Sequence, residues 1–321
     1  MDAGRSGSPD CRSFPGRRLF AAFFLCSIPP LASAEPFIGQ FELKNLESKP
    51  GLIEFQSQNA WSWRQPARRF VNGPDGLELD ENSVVRQRHA LEVEFGFTRA
   101  VKMRVGVEFE KERLEEPGSL DESNDFDSLE LSEVGAEIIA VLAPREGDGM
   151  GFGLVAEIEG PVDGEEPTNL VLGPIFEYQR GRWFAAVIPM VIYAFGGEAE
   201  EGERVDTKWD FAYAAQLTYT FNETWSLALE GYGTIERLGN TGHPSESARI
   251  FGDFDQHRLG PVLYYSRPLG GSRARAATRS SSLSSDEAEE GATLTIGIGL
   301  LEGLNGNTPD HTLKLSIEVD F

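Results

Sequence analysis

From residue 90 onward the chain alternates apolar and polar positions with a period of two, the spacing that turns apolar side chains to one face of a strand and polar or small ones to the other. Leu91, Val93, Phe95 and Phe97 alternate with Glu92, Glu94 and Gly96. Val101, Met103, Val105, Val107 and Phe109 alternate with Lys102, Arg104, Gly106, Glu108 and Glu110. Only Thr98, Arg99 and Ala100 separate the two runs, which predicts a hairpin. A second hairpin of the same build follows: Phe211, Tyr213, Ala215, Leu217, Tyr219 and Phe221, a turn at Asn222 and Glu223, then Trp225, Leu227, Leu229, Gly231 and Gly233. Further strands are expected at 52–63, 128–142, 151–160, 170–180, 182–195, 255–266, 292–302 and 311–321, which makes about twelve. Segments 128–142 and 182–195 alternate poorly, and Pro189 weakens a simple ladder in the latter, so ten or fourteen strands stay open.

The connections carry a second rhythm. Stretches 64–84, 111–127, 161–169, 196–207, 237–254 and 303–310 are mostly long and rich in Gly, Pro, Asp and Glu, whereas the turns near Arg99, Arg145, Gly181 and Asn222 are short. Long outer loops alternating with short periplasmic turns, on an even strand number, are the pattern of bacterial membrane barrels. One connection breaks it. Residues 267–291 hold Arg273, Arg275, a serine run from Ser280 to Ser285 and the acidic Asp286, Glu287, Glu289 and Glu290, with too little apolar content to offset the entropy of ordering, and are expected to be a disordered insertion.

The final strand places Leu313, Leu315, Ile317, Val319 and the terminal Phe321 on one face and Lys314, Ser316, Glu318 and Asp320 on the other. An amphipathic last strand ending in an aromatic residue looks like the signal read by the barrel-assembly machinery, with Leu315, Ile317, Val319 and Phe321 as its core. At the other end, Arg17 and Arg18 precede an apolar run over 19–28, then Pro29, Pro30 and the small-residue site Ala32-Ser33-Ala34, the order of a secretory signal peptide cleaved after residue 34. Both cysteines, Cys11 and Cys26, fall in that segment, so the mature chain would have no disulfide and no Cys-based metal site. Leu25 before Cys26 is too large for a lipid-anchor site. No later stretch approaches the roughly 20 apolar residues of a spanning helix. A chain of this pattern crosses a membrane only as a closed barrel, since helices and closed barrels alone satisfy every backbone hydrogen bond in lipid. The expected organisation is a signal peptide over 1–34, a periplasmic lead-in over 35–51, reaching at most to the barrel mouth, and an all-β transmembrane antiparallel up-and-down barrel over 52–321 in the outer membrane of a Gram-negative cell, monomeric and in contact with outer-membrane lipid.

Composition then narrows the function. The formal net charge of -23 excludes a nucleic-acid binder, because phosphate backbones repel surplus carboxylates. There is no Gly-x-Ser-x-Gly elbow, no His-Glu-x-x-His and no phosphate-binding Gly-rich loop. His89, His243, His257 and His311 are isolated, so neither a metal nor another cofactor is expected. The acidic pairs Glu115-Glu116 and Glu165-Glu166 lack the spacing of a calcium loop. A lipid-modifying barrel enzyme would need a Ser and a His together on the lipid side; His257 has the outward parity, but Ser226 and Ser316 fall inward.

The inward face is the better constellation. Alternation turns Glu92, Glu94, Glu108, Glu110, Glu157, Glu159, Glu177, Asp210, Glu230, Glu236, Glu318 and Asp320 to the lumen, against Lys102, Arg104, Arg258 and Lys314. A lumen this acidic favours cations and opposes anions. Equally, Glu paired with Lys and Arg could fill a narrow barrel as a salt-bridged plug, and sequence does not separate pore from plug. Trp61, Trp63, Trp183, Tyr193, Trp209, Tyr219 and Trp225 fall near strand ends, where aromatic girdles sit at the lipid interfaces.

Over residues 85–321 the chain resembles the bacterial outer-membrane barrel family named for the meta-cleavage pathway of phenol degradation. The resemblance rests on the segments 91–97, 153–157, 217–225 and 229–233 and on the closing strand 313–321. It implies uptake of aromatic or other small compounds and assigns no binding residue. Three classes therefore stand: a barrel that passes or binds small solutes through an acidic lumen, a structural or surface-interaction barrel presenting acidic loops at 112–127 and 198–206, and a lipid-modifying enzyme.

Overall fold

The computed structural model describes residues 41, 43–68, 70–73, 76–79, 84–114, 118–162, 167–196, 208–235, 238, 255–269 and 292–321. The signal peptide, both cysteines, His243, Glu236, the Glu115-Glu116 and Glu165-Glu166 pairs, the acidic stretch 198–206 and all but the first three residues of the insertion lie outside them.

Fourteen strands run in chain order: β1 (Ile53–Trp63), β2 (Phe70–Gly73), β3 (Gly76–Leu79), β4 (Gln87–Gly96), β5 (Val101–Lys111), β6 (Glu130–Ala143), β7 (Gly149–Pro161), β8 (Thr168–Arg180), β9 (Trp183–Phe195), β10 (Lys208–Thr220), β11 (Trp225–Ile235), β12 (Gln256–Pro268), β13 (Thr293–Gly303) and β14 (His311–Asp320). Twelve of them close an antiparallel up-and-down barrel in the order β1-β14-β13-β12-β11-β10-β9-β8-β7-β6-β5-β4. The pair β2–β3 forms a separate hairpin in the first long connection, which the alternation did not predict. Among the described residues no helix is long and apolar enough to cross a membrane.

Closure is made by β1 pairing with β14 from Glu54↔Asp320 to Trp63↔His311. The last residue takes part: the Phe321 N–H donates to the Ile53 carbonyl at 2.9 Å, and its ring meets Phe55 edge-on at 5.8 Å. The turns at 97–100, 144–148, 181–182 and 221–224 lie at the same end of the barrel as the start of β1 and the end of β14; we call this the turn end and the opposite one the loop end. Prolines mark gaps in the ladder, because they bring no N–H to it. Between Leu172↔Val191 and Phe176↔Val187, where Pro174 and Pro189 lie, the β8–β9 register is interrupted. It is interrupted again beside Pro261 between β12 and β13.

Alternation sorts the two faces. Outward side chains stay exposed, as with Leu91 at 51% and Ile298 at 52%. Aromatic pairs ring both ends of this apolar belt: Trp183 with Tyr219 and Trp225 with Tyr265 at the turn end, Tyr193 with Trp209 and Trp63 with His311 at the loop end. Trp61 lies beside His89, so all seven of the predicted girdle residues face outward.

Candidate transport lumen

The inward wall has two characters. On β4–β7 it is a lattice of ion pairs. Glu94 takes Arg104 at 2.8 Å through one carboxylate oxygen and Lys102 at 2.8 Å through the other. Arg104 also lies 3.7 Å from Glu92 and 3.9 Å from Glu137. Arg88 bridges Glu108 and Glu110. All these groups are buried, and buried charges persist only where partners replace the water they have lost. Across the barrel, Glu230 is a second hub, fully buried. It accepts hydrogen bonds from Lys314 (2.7 Å), Gln216 (2.7 Å), Tyr232 (2.6 Å) and Tyr264.

On β8 and β9 the same inward positions carry Val171, Ile175, Ile188, Met190 and Ile192, flanked by the small Ala212 and Ala214 of β10. This is an apolar wall inside a charged lumen. Beside it, toward the turn end, a small open pocket is lined by polar side chains such as Gln179, Gln216, Thr218 and Ser226 together with the rings of Phe184 and Tyr264.

Residue 41 and residues 43–46 occupy the space between the two walls. The lead-in expected at the mouth thus runs into the lumen: Phe41, Leu43, Lys44 and Leu46 are all buried. Lys44 donates to Glu137 and, at 2.9 Å, to Glu157, filling the gap in cations on β6 and β7. Asn45 accepts from Lys102 at 2.9 Å, and the Leu46 N–H donates to Glu177 at 2.7 Å. Phe41 packs edge-on against Tyr232 at 5.5 Å with the Arg258 guanidinium 5.2 Å over its ring. Phe41, Leu43 and Leu46 join one cluster with the apolar wall, a burial worth about 1.5–3 kcal/mol per side chain. Leu46 lies over Gly151 and Gly153 of β7; a Cβ built on Gly153 would fall within 2.4 Å of the Leu46 side chain, so glycine there makes the room. The chain leaves the lumen through Pro50 and Gly51, whose φ of 84° suits glycine, and the Gly51 N–H donates to the Gly96 carbonyl at 2.8 Å.

Every predicted lumen residue among those described faces inward: Glu92, Glu94, Lys102, Arg104, Glu108, Glu110, Glu157, Glu177, Asp210, Glu230, Arg258 and Lys314 are buried, and Glu318 is half-buried. They form separate groups: the β4–β7 lattice, the Glu230–Lys314 hub, the Lys208–Asp210 pair (3.3 Å), and Arg258 over Phe41. Missed were Arg88, which shares the parity of Glu92 and Glu94 one step earlier, Glu133 and Glu137 on the poorly alternating β6, Glu54 on β1, and Lys44, for which the sequence offered no period. Two carboxylate triads bring ligand atoms within 4.8 Å of one another, Glu108–Glu133–Glu159 and Glu54–Glu318–Asp320, a spacing a hard cation could use. His257 lies outward with its Nδ1 3.0 Å from the Tyr213 hydroxyl, while Ser226 and Ser316 are on the inner face, on the opposite side of the sheet.

A closed antiparallel barrel with an apolar outer belt, aromatic girdles at both ends and a polar interior is a transmembrane β-barrel of the outer-membrane type. One solved structure agrees on the fold. The COG4313 outer membrane channel from Pseudomonas putida F1 superposes with a TM-score of 0.50 at 10% identity, over 87% of this chain and 98% of that one. The NanC porin (TM-score 0.44, 10% identity, 83% and 98% covered) and the KdgM porin in complex with disordered oligogalacturonate (0.41, 7%, 84% and 98%) are also similar. The sequence matches no family model and no curated protein.

Proposed function

We propose that this chain is an outer-membrane channel for small solutes that combine an apolar surface with a positive charge, with its loop end outside the cell. The observation that carries this is the fit of residue 41 and residues 43–46. The chain's own segment puts an ammonium on Glu137 and Glu157 and apolar side chains on the β8–β9 wall at once, which supports a lumen suited to both. Aromatic cargo, the expectation from the phenol-pathway resemblance, suits the apolar wall; cationic cargo suits the surplus of inward carboxylates. Export through a signal peptide cleaved after Ala34, insertion by the barrel-assembly machinery through the closing strand, and a monomeric state belong to the same reading.

The seated segment also favours a second reading, a closed structural barrel. Single-channel conductance in a planar bilayer under a salt gradient separates the two, comparing the refolded mature chain with one lacking residues 35–48. Cation-selective steps that grow severalfold on deletion are expected. A folded barrel that stays silent after deletion would sink the channel reading and leave the structural one.

A further inference from the structure

The outward face of β5, β4, β1 and β14 departs from the apolar belt near the loop end. Lys111, Gln87 and Trp61 are cross-strand partners in a single row, all half-buried on the lipid-facing side. Arg64, 69% exposed at its side chain, follows β1 directly, and the exposed Arg86 precedes β4. Below the row, His89 Nδ1 lies 2.8 Å from Asn59 Oδ1. The Asn59 amide nitrogen is committed to Ser57 Oγ (3.0 Å) and the Leu315 carbonyl (3.2 Å), so its oxygen accepts and His89 donates from Nδ1, leaving Nε2 as an acceptor. The indole of Trp61 meets the His89 ring at 5.2 Å.

Charge is what sets this face apart. In a chain of net charge -23, Lys111 and Arg64 stand on one arc of the loop end, with the Arg86 guanidinium taken up 5.4 Å over the Phe126 ring, whereas β6 to β10 carry apolar outward residues there, such as Val134, Ile158, Tyr193 and Trp209. Among the described residues the acids on this arc have partners of their own: Glu302 holds His311 at 2.7 Å, and Asp310 pairs with Arg64 at 3.9 Å, a long, solvent-exposed contact that a phosphate can displace. Lys111 has no ion-pair partner among the described residues. Cations for phosphate, an amide and an imidazole for hydroxyls, and an indole plane for a sugar ring are the chemistry of a phosphorylated sugar headgroup. Directly below, the exposed Leu91 and Phe55 continue the belt on which acyl chains lie.

We propose that this arc binds a phosphorylated glycolipid of the outer leaflet, with Lys111 and Arg64 on the phosphate and Trp61 against the sugar. The proposal rests on the topology above, in which the loop end faces outward, but not on solute passage. The test is native mass spectrometry of the full-length protein, exported and processed in a Gram-negative host and extracted in mild detergent, then titrated with lipid A, dephosphorylated lipid A or phosphatidylglycerol. Wild type should retain lipid A selectively. The double variant Lys111→Gln/Arg64→Gln should lose about tenfold in affinity, the scale of one charge-assisted hydrogen bond, while Arg180→Gln at the turn end changes nothing. Equal retention by the double variant, equal binding of the dephosphorylated lipid, or a lipid-free dimer through this face would each overturn the assignment. Heat-shifted gel mobility checks that the variants are folded barrels, and their conductance, expected unchanged, is read separately, so a failed lipid site and a failed channel remain distinguishable.

Discussion

The β4–β7 wall and the β8–β9 wall enclose the same lumen from opposite chemistries. On the first, the carboxylates of β4, β5 and β7 are legible because their strand neighbours are apolar or small; on the second, Val187 and Val191 point out while Ile188, Met190 and Ile192 point in, and the period disappears. A barrel strand alternates only when its two environments differ. Where the lumen itself is apolar, the pattern fades at the very positions that shape what the lumen can hold.

Breaking each wall in turn should show the difference. Arg104→Met on the charged side leaves Glu92, Glu94 and Glu137 short of a cation and should cost about 3–5 kcal/mol, measured by urea unfolding in liposomes. Ile188→Asp on the apolar side buries a charge with no partner and should cost about 3 kcal/mol in the same assay. If the two losses were equal to those of surface substitutions, neither wall would be packed as described. Lys44→Met keeps the apolar contacts but frees Glu137 and Glu157; conductance should rise and cation preference sharpen. The smallest effect is expected for Glu92→Gln with Glu108→Gln, which should weaken cation preference while steps of similar size persist; an unchanged reversal potential would argue that these groups are neutralised by Arg104 and Arg88.

Much of this molecule could be read in advance, and the parts that could not have physical reasons. Twelve barrel strands followed from alternation together with the long-and-short rhythm of connections, and the inward orientation of residues such as Glu94 and Lys314 followed from parity. Pairing did not. That Lys102 and Arg104 share Glu94, or that Glu230 draws Lys314 from a strand 84 positions away, depends on register around the ring. Lys44 and Phe41 were invisible because a segment that borrows its order from a surrounding wall has no reason to carry a period of its own. The β2–β3 hairpin, four residues a side, is too short for alternation to declare itself.

Residues 41–49 are covalently joined to β1 through a tight turn at Pro50 and Gly51. Their grip on the lumen is therefore an intramolecular equilibrium, with an effective concentration in the millimolar range for so short a tether. Any solute that shares their sites meets that as a competitor already in place, so occupancy depends on beating a resident rather than on filling a vacancy. Weak binders would then be excluded however often they collide with the mouth, and admission would turn on affinity more than on size.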